Sequence, residues 1–208
     1  MNHLARTRPL AALTLLALAA CVGRGGMAPD KMAGMSNAGM GTPAAVGSTV
    51  MVGGEPMLPT RTIVENAVNS KDHTTLVAAV KAADLVGPLS GPGPLTVFAP
   101  TNAAFDALPP GTVGTLLKPE NKAKLARVLT YHVVPGRLDG AALRQQVEAG
   151  GGKASLKTLE GGQLTVAMNG PRNLVVTDEA GNTAEIATYD VYQSNGVIHV
   201  VDRVLMPR

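Results

Sequence analysis

From residue 60 onward the chain alternates between stretches with apolar residues at helical spacing and short runs rich in β-formers. Thr62-Ile63-Val64-Glu65 has the form of a capping box. The Thr hydroxyl can accept from the backbone three residues on, while the Glu carboxylate reaches back. A short helix carrying Ile63, Val64, Ala67 and Val68 is the consequence. Asp72 offers a cap for a second helix, with Leu76, Val77, Val80 and Ala83 at helical spacing. Gly91-Pro92-Gly93-Pro94 breaks the chain, and Leu95-Thr96-Val97-Phe98-Ala99 reads as a strand. Pro100-Thr101 closes that strand, and Thr101 caps a helix through Phe105 and Leu108 that ends at Pro109-Pro110-Gly111. Pro119 suits the first turn of a longer helix, with Leu125, Val128, Leu129 and His132 on one face and Pro135-Gly136 as its stop. A last helix, around 141–147, precedes Gly150-Gly151-Gly152.

Beyond that glycine run the pattern turns to strands, at 154–159, 163–168, 174–176, 184–187, 197–201 and 204–206. Gly161-Gly162, Asn169-Gly170 and Ala180-Gly181-Asn182 supply turns between them. Helices first and strands later give an α+β class, with a domain expected over 60–208 and no tandem repeat.

Residues 21–59 lack a sustained period and are rich in Gly, Ala, Met, Pro and Ser, which reads as a disordered, flexible tether. Ahead of them, residues 1–20 read as an export signal. Arg6 and Arg8 form a basic start, the apolar stretch 10–18 is short for a membrane span, and Leu18-Ala19-Ala20-Cys21 has the form of a bacterial lipobox. Cleavage before Cys21 would leave its thiol to carry diacylglycerol, anchoring the chain in a membrane through buried methylenes. The competing reading is an ordinary secretory signal with a cysteine beside the cut. Cys21 is the chain's single cysteine, so an intramolecular disulfide is excluded. Val22 follows it where an Asp would signal retention in the inner membrane, which by likeness to Gram-negative lipoproteins favours the outer membrane.

Composition narrows the function. Hydrophobic residues make up 45% of the chain but aromatics only 2%, so the core must be built from aliphatic side chains. Stacking platforms for bases are nearly absent, which argues against nucleic-acid partners. The formal charge of +3 includes Arg6 and Arg8; without the signal it falls to about +1, and there is no basic run.

Three stretches carry a family resemblance. The run from Thr96 to Phe105, containing Phe98, Pro100, Thr101 and Asn102, resembles the first motif of the fasciclin domain family. Tyr131-His132-Val133-Val134-Pro135-Gly136 resembles its central motif. The run from Asn195-Gly196 through His199 and Asp202 to Pro207 resembles its closing motif. All three stand in the family's order, and the nearest likeness is to single-domain bacterial secreted members and lipoproteins. The resemblance implies a compact wedge of mixed strands and short helices, and a role in cell-surface adhesion or macromolecular recognition. Leu95 departs from the family's usual aromatic, with a looser core there as the expectation, and Gly87-Pro88 interrupts the end of the second helix.

The motif residues make physical sense as structure. Thr101 and Asn102 can satisfy free N–H groups where strand becomes helix, Phe98 and Phe105 are core anchors, and His132 can meet terminal carbonyls or a neighbouring loop. Tyr131, Tyr189 and Tyr192 are the candidate contact residues for a protein or polysaccharide partner, since amphipathic rings favour interfaces; packing over the strands is the competing reading. No Gly-x-Ser-x-Gly elbow, phosphate loop or His-Glu-x-x-His motif is present, so the chain reads as a binding module without enzymatic activity, cofactor or resident metal. The alternative is a periplasmic Cu(I) binder using the thioethers of Met27, Met32, Met35, Met40, Met51 and Met57.

Overall fold

The capping box forms as its residues dictate. The Thr62 hydroxyl accepts from Glu65 N, and Thr62 N donates to Glu65 Oε2 at 2.8 Å, opening helix α1 (Ile63–Asn69). The computed structural model describes residues 49–208. The export signal, Cys21, the tether up to residue 48, and Met27, Met32, Met35 and Met40 lie outside the described residues.

The last part of the expected tether is corrected. Val50–Val52 (β1) and Glu55–Met57 (β2) pair antiparallel around Gly53-Gly54, which take φ of +62° and +79°. Those positive angles suit glycine and give the tight two-residue hairpin turn. Val52 and Met57 turn inward and are buried with the helical core, Met57 at 3% exposure. Two apolar strand ends thus bury enough surface to hold a segment that composition alone assigns to a linker.

After α1 come a 3₁₀ turn at Lys71–His73, α2 (Thr74–Ala82), α3 (Val86–Ser90), β3 (Leu95–Pro100), α4 (Asn102–Asp106) and α5 (Thr112–Leu116). A second 3₁₀ turn, Pro119–Asn121, leads into α6 (Lys122–Tyr131). Then follow β4 (Val133–Pro135), α7 (Gly140–Ala149), β5 (Lys153–Lys157), β6 (Gln163–Asn169), β7 (Asn173–Thr177), β8 (Thr183–Gln193) and β9 (Gly196–Val201). The α+β class is the one that forms.

Several local expectations change. Gly87-Pro88 does not merely interrupt a helix: Pro88 sits in the first turn of α3, where its missing N–H costs no bond. The helix before Pro135 stops at Tyr131, and after His132 the chain becomes β4 against β3, with Pro135 as the last residue of that strand. Residues 204–206 form no strand, because their amides are taken by side chains: Leu205 N donates to His132 Nε2 and Met206 N to Asp178 Oδ2.

The main sheet runs β4-β3-β9-β8-β7-β6-β5. The β3–β9 pair is parallel, setting Phe98 opposite His199, and the other neighbours are antiparallel. Leu159 N donates to Val133 O at 2.8 Å, so the two ends of the sheet meet and the wedge nearly closes on itself. Two apolar clusters fill the domain. One lies between the helices and the near face of β3 and β9, and takes in Leu76, Ala79, Leu125 and Leu129. The other lies within the curled sheet around Leu143, Leu164, Val166, Leu174 and Val176, each fully buried and stabilising by about 1.5–3 kcal/mol.

Candidate functional site

The three motif stretches meet at the centre of the wedge, because β3 lies between β4 and β9. Each motif's polar groups turn inward. Thr96 Oγ1 donates to Gly136 O at 2.7 Å and accepts from Leu138 N at 2.9 Å, pinning the loop after β4. Gly136 itself takes φ +101°, and Pro135 ends that strand. Pro100 ends β3, and Thr101 N donates to Val201 O beyond it. Thr101 Oγ1 then accepts from Ala104 N and caps α4, whose Phe105 is buried.

Asn102 does something different from what its position beside a helix start suggests. Its Oδ1 accepts from Thr75 N and from the Thr74 hydroxyl, while its Nδ2 donates to Lys71 O. It therefore caps α2, in place of Asp72, which lies within the 3₁₀ turn. Asn195 plays a comparable part from the opposite side. Its Oδ1 accepts from Ile63 N at the head of α1, and its Nδ2 donates to Leu89 O and Gly91 O at the end of α3. Gly196 must be glycine, since a Cβ there would stand 2.0 Å from Leu95 O. Asp202 Oδ1 accepts from Glu185 N at 2.7 Å and fastens the end of β9 to β8. Leu95, the departure from the family pattern, is half-buried against the helical core.

The histidines are sealed. His132 Nε2 accepts from Leu205 N at 2.9 Å, which requires Nδ1 to carry the proton and donate to Val128 O at 2.8 Å. Both nitrogens are spent on backbone, and burial lowers the His132 pKa to about 4 against the smaller opposing effects of the Val128 bond and Asp178. His199 uses the other tautomer. Nε2 donates to Leu138 O at 2.8 Å, Asp190 N approaches Nδ1 at 3.5 Å, and burial again lowers its pKa. Its ring stacks on Phe98 with centroids 5.7 Å apart. His73 Nδ1 meets Ser70 Oγ at 2.9 Å, whereas Nε2 faces the Ala99 carbonyl without a hydrogen bond of ordinary geometry; burial lowers this pKa as well. The three imidazoles lie apart, and among the described residues no group of three His, Cys, Asp or Glu could hold a metal ion.

The tyrosines divide. Tyr131 is corrected as a contact residue: it is 0% exposed, its hydroxyl donates to Gln163 O and accepts from Glu179 N, and Gly162 packs against its ring. Burial is the main reason its hydroxyl pKa rises. Tyr189 and Tyr192 are half-buried at the domain's flank. The Tyr189 hydroxyl accepts from Leu174 N at 2.7 Å, and its ring lies between the edge of His199 and the Arg144 guanidinium, 5.5 Å from its centroid. Tyr192 reaches Asp139 Oδ2 at 3.4 Å, and burial leads the rise in its pKa. Of the methionines proposed for copper, Met51 is 60% exposed but Met57 is committed to the core.

Sequence reasoning did not anticipate Asp178, which accepts from Asn182 and from Met206 N, or Asp190, whose φ of +58° turns its carboxylate onto Gly140 N at 2.6 Å. Nor did it anticipate an apolar cleft of about 130 Å³ among α1, α2 and α3, floored by Phe98, Leu129 and His132. The only signal for it is the abundance of Val and Ala on those helices, whose short side chains fill less space than Leu or Phe.

A fasciclin domain family model matches residues 71–207. Protein sll1483 of Synechocystis is 51% identical over 146 residues, covering 70% of this chain and 73% of that protein. The cell surface glycolipoprotein MPB83 of Mycobacterium bovis is 34% identical over 185 residues, 86% of this chain and 65% of its own length. Transforming growth factor-beta-induced protein ig-h3 of Sus scrofa is 36% identical over 149 residues, 72% of this chain but only 20% of the longer protein. Among solved structures, the domain pair from the insect cell adhesion molecule fasciclin I superposes with a TM-score of 0.64 at 17% identity, covering 72% of this chain and 52% of that one. Both the motif-bearing centre and these relatives place the chain in one family: it belongs to the fasciclin domain family.

Proposed function

We propose that this protein is an exported bacterial lipoprotein, acylated at Cys21 and sorted to the outer membrane, whose fasciclin domain acts as an adhesion or recognition module. It engages a protein or polysaccharide at the cell surface or matrix and carries out no catalysis. The observation that carries the reading is the inward commitment of the motif polar groups: His132 and His199 each use both ring nitrogens on backbone partners. A base needs a free nitrogen within reach of substrate, and neither has one. The likeness to a cell surface glycolipoprotein supports placement at the envelope, and the fold shared with the insect cell adhesion molecule fasciclin I is consistent with adhesion. No helix among the described residues is long and apolar enough to cross a membrane. In this reading the anchor is the acyl chains on Cys21.

With Tyr131 in the interior, the aromatic contacts fall to Tyr192 and Tyr189. Tyr192 is the better probe, because its one side-chain hydrogen bond is long and Tyr189 is tied to β7. The test is intact mass of the protein from its native membrane fraction, paired with cell-surface or matrix binding. Lipid mass on a chain lacking residues 1–20, lost in Cys21→Ser, together with reduced binding in Tyr192→Ala, is expected. A soluble, unlipidated wild-type product overturns the anchor, and unchanged binding by Tyr192→Ala overturns the contact.

A further inference from the structure

We infer that the cleft among α1, α2 and α3 is a ligand site for a free medium-chain aliphatic carboxylate, a site separate from the adhesive surface. Its walls come from Val64 and Val68 of α1, Val77 and Val80 of α2, and Val86 at the start of α3. The floor is the sealed motif centre. Because both nitrogens of His132 are occupied, the imidazole offers a ligand only carbon surface. Apolar walls offer water no hydrogen-bond partners, and an enclosed cavity of about 150 Å³ lined by Leu, Ile and Phe accepts benzene. The present cleft, about 130 Å³, matches a tail of roughly six carbons by the same comparison.

The mouth says what the tail is attached to. Val68 and Val86 stand 48% and 36% exposed beside it, large for apolar side chains left at a surface. Lys81, on the last turn of α2, stands among the lining residues, and a shallow depression continuing over Val64, Val68 and Val86 ends at Arg61. Neither cation makes an ion pair among the described residues. The carboxylate that shares this rim, Glu65, is held by Thr62 in the capping box. Glu65 keeps its negative charge there and acts on Arg61, so the rim's net positive charge falls to Lys81, over an apolar hole that it makes complementary to a short chain with an anionic head. The partner's charge and its chain length both follow from these groups.

The experiment titrates the mature domain with sodium octanoate while methyl resonances are followed by NMR, with 1-octanol as the uncharged control. Saturable shifts confined to Val64, Val68, Val77, Val80 and Val86 are expected. Lys81→Ala should weaken octanoate about two- to fivefold, the size of an exposed charge pair, and leave octanol unchanged. Val68→Trp, made at an exposed position that leaves the core untouched, should close the mouth and abolish both. Shifts scattered over the surface, octanoate binding unaffected by either substitution, or a concentration-dependent dimer that octanoate does not displace would each overturn the assignment. Because the readout needs no cell or matrix partner, its failure is distinct from failure of the adhesion reading.

Discussion

The centre of the sheet and the layer of helices α1–α3 are built from the same aliphatic residues but finished differently. At the sheet centre every close approach is filled: Tyr131 between β6 and the turn after β7, Phe98 on His199, and a Gly196 that leaves no room for a methyl group. In the helical layer, short Val and Ala side chains on three short helices leave a cleft that opens to solvent. The helices are nonetheless fixed at their ends, by Asn102 for α2 and by Asn195 for α1 and α3. The contrast separates holding from binding. The motif residues hold the walls apart and spend the floor's polar groups on backbone, and the space between the walls is where a ligand has somewhere to go.

The largest effect that sharpens this contrast comes from Tyr131→Ala. It empties a fully buried ring site and orphans Gln163 O and Glu179 N, so a loss of about 3–5 kcal/mol is expected in chemical denaturation. Lys81→Ala at the cleft mouth should stay within about 0.5 kcal/mol of wild type. Similar losses for the two would break the distinction.

Acid comes next. His132 is held neutral, with a folded pKa of about 4 against about 6.5 in an unfolded chain. Below 6.5 the unfolded state binds the proton more readily, so stability is full above that pH and falls as pH drops toward 4, by about 3 kcal/mol for this group. His73 and His199, also lowered by burial, push in the same direction. Denaturation midpoints measured from pH 7 to pH 4 should decline steadily, and a flat profile would mean the imidazoles are not sealed.

The smallest effect comes from two side chains each enlarged by one carbon. Gly162→Ala places a Cβ 2.7 Å from the Tyr131 ring and should cost about 1–3 kcal/mol. Val77→Leu, which extends into the cleft, should stabilise by about 0.5–1 kcal/mol and weaken octanoate binding. If both substitutions destabilise alike, the cleft is as tightly filled as the sheet centre.

What could be read from the chain depended on the range over which each group acts. Thr62 and Glu65 satisfy each other three residues apart, and the capping box was legible for that reason. The core strands alternated visibly, and the three motifs identified the family. Asn102 and Asn195 bond partners far along the chain, so neither role follows from local pattern. The hairpin of β1 and β2 was hidden because its Gly53-Gly54 turn sits in a glycine-rich stretch, where the turn signal does not stand out. Residue type leaves Tyr131 open between a surface contact and packing over the strands, because its burial depends on two backbone groups from distant turns. The cleft, a gap between three helices, has no counterpart in the order of residues.

The account rests on a motif centre that is structural and closed, and the most direct measurement is the titration of the His132 ring protons by NMR in the folded domain. The account predicts that the resonance stays at its neutral position through pH 6.5 and moves only near pH 4. A midpoint near 6.5 would show an imidazole open to solvent, and with it a centre available for chemistry.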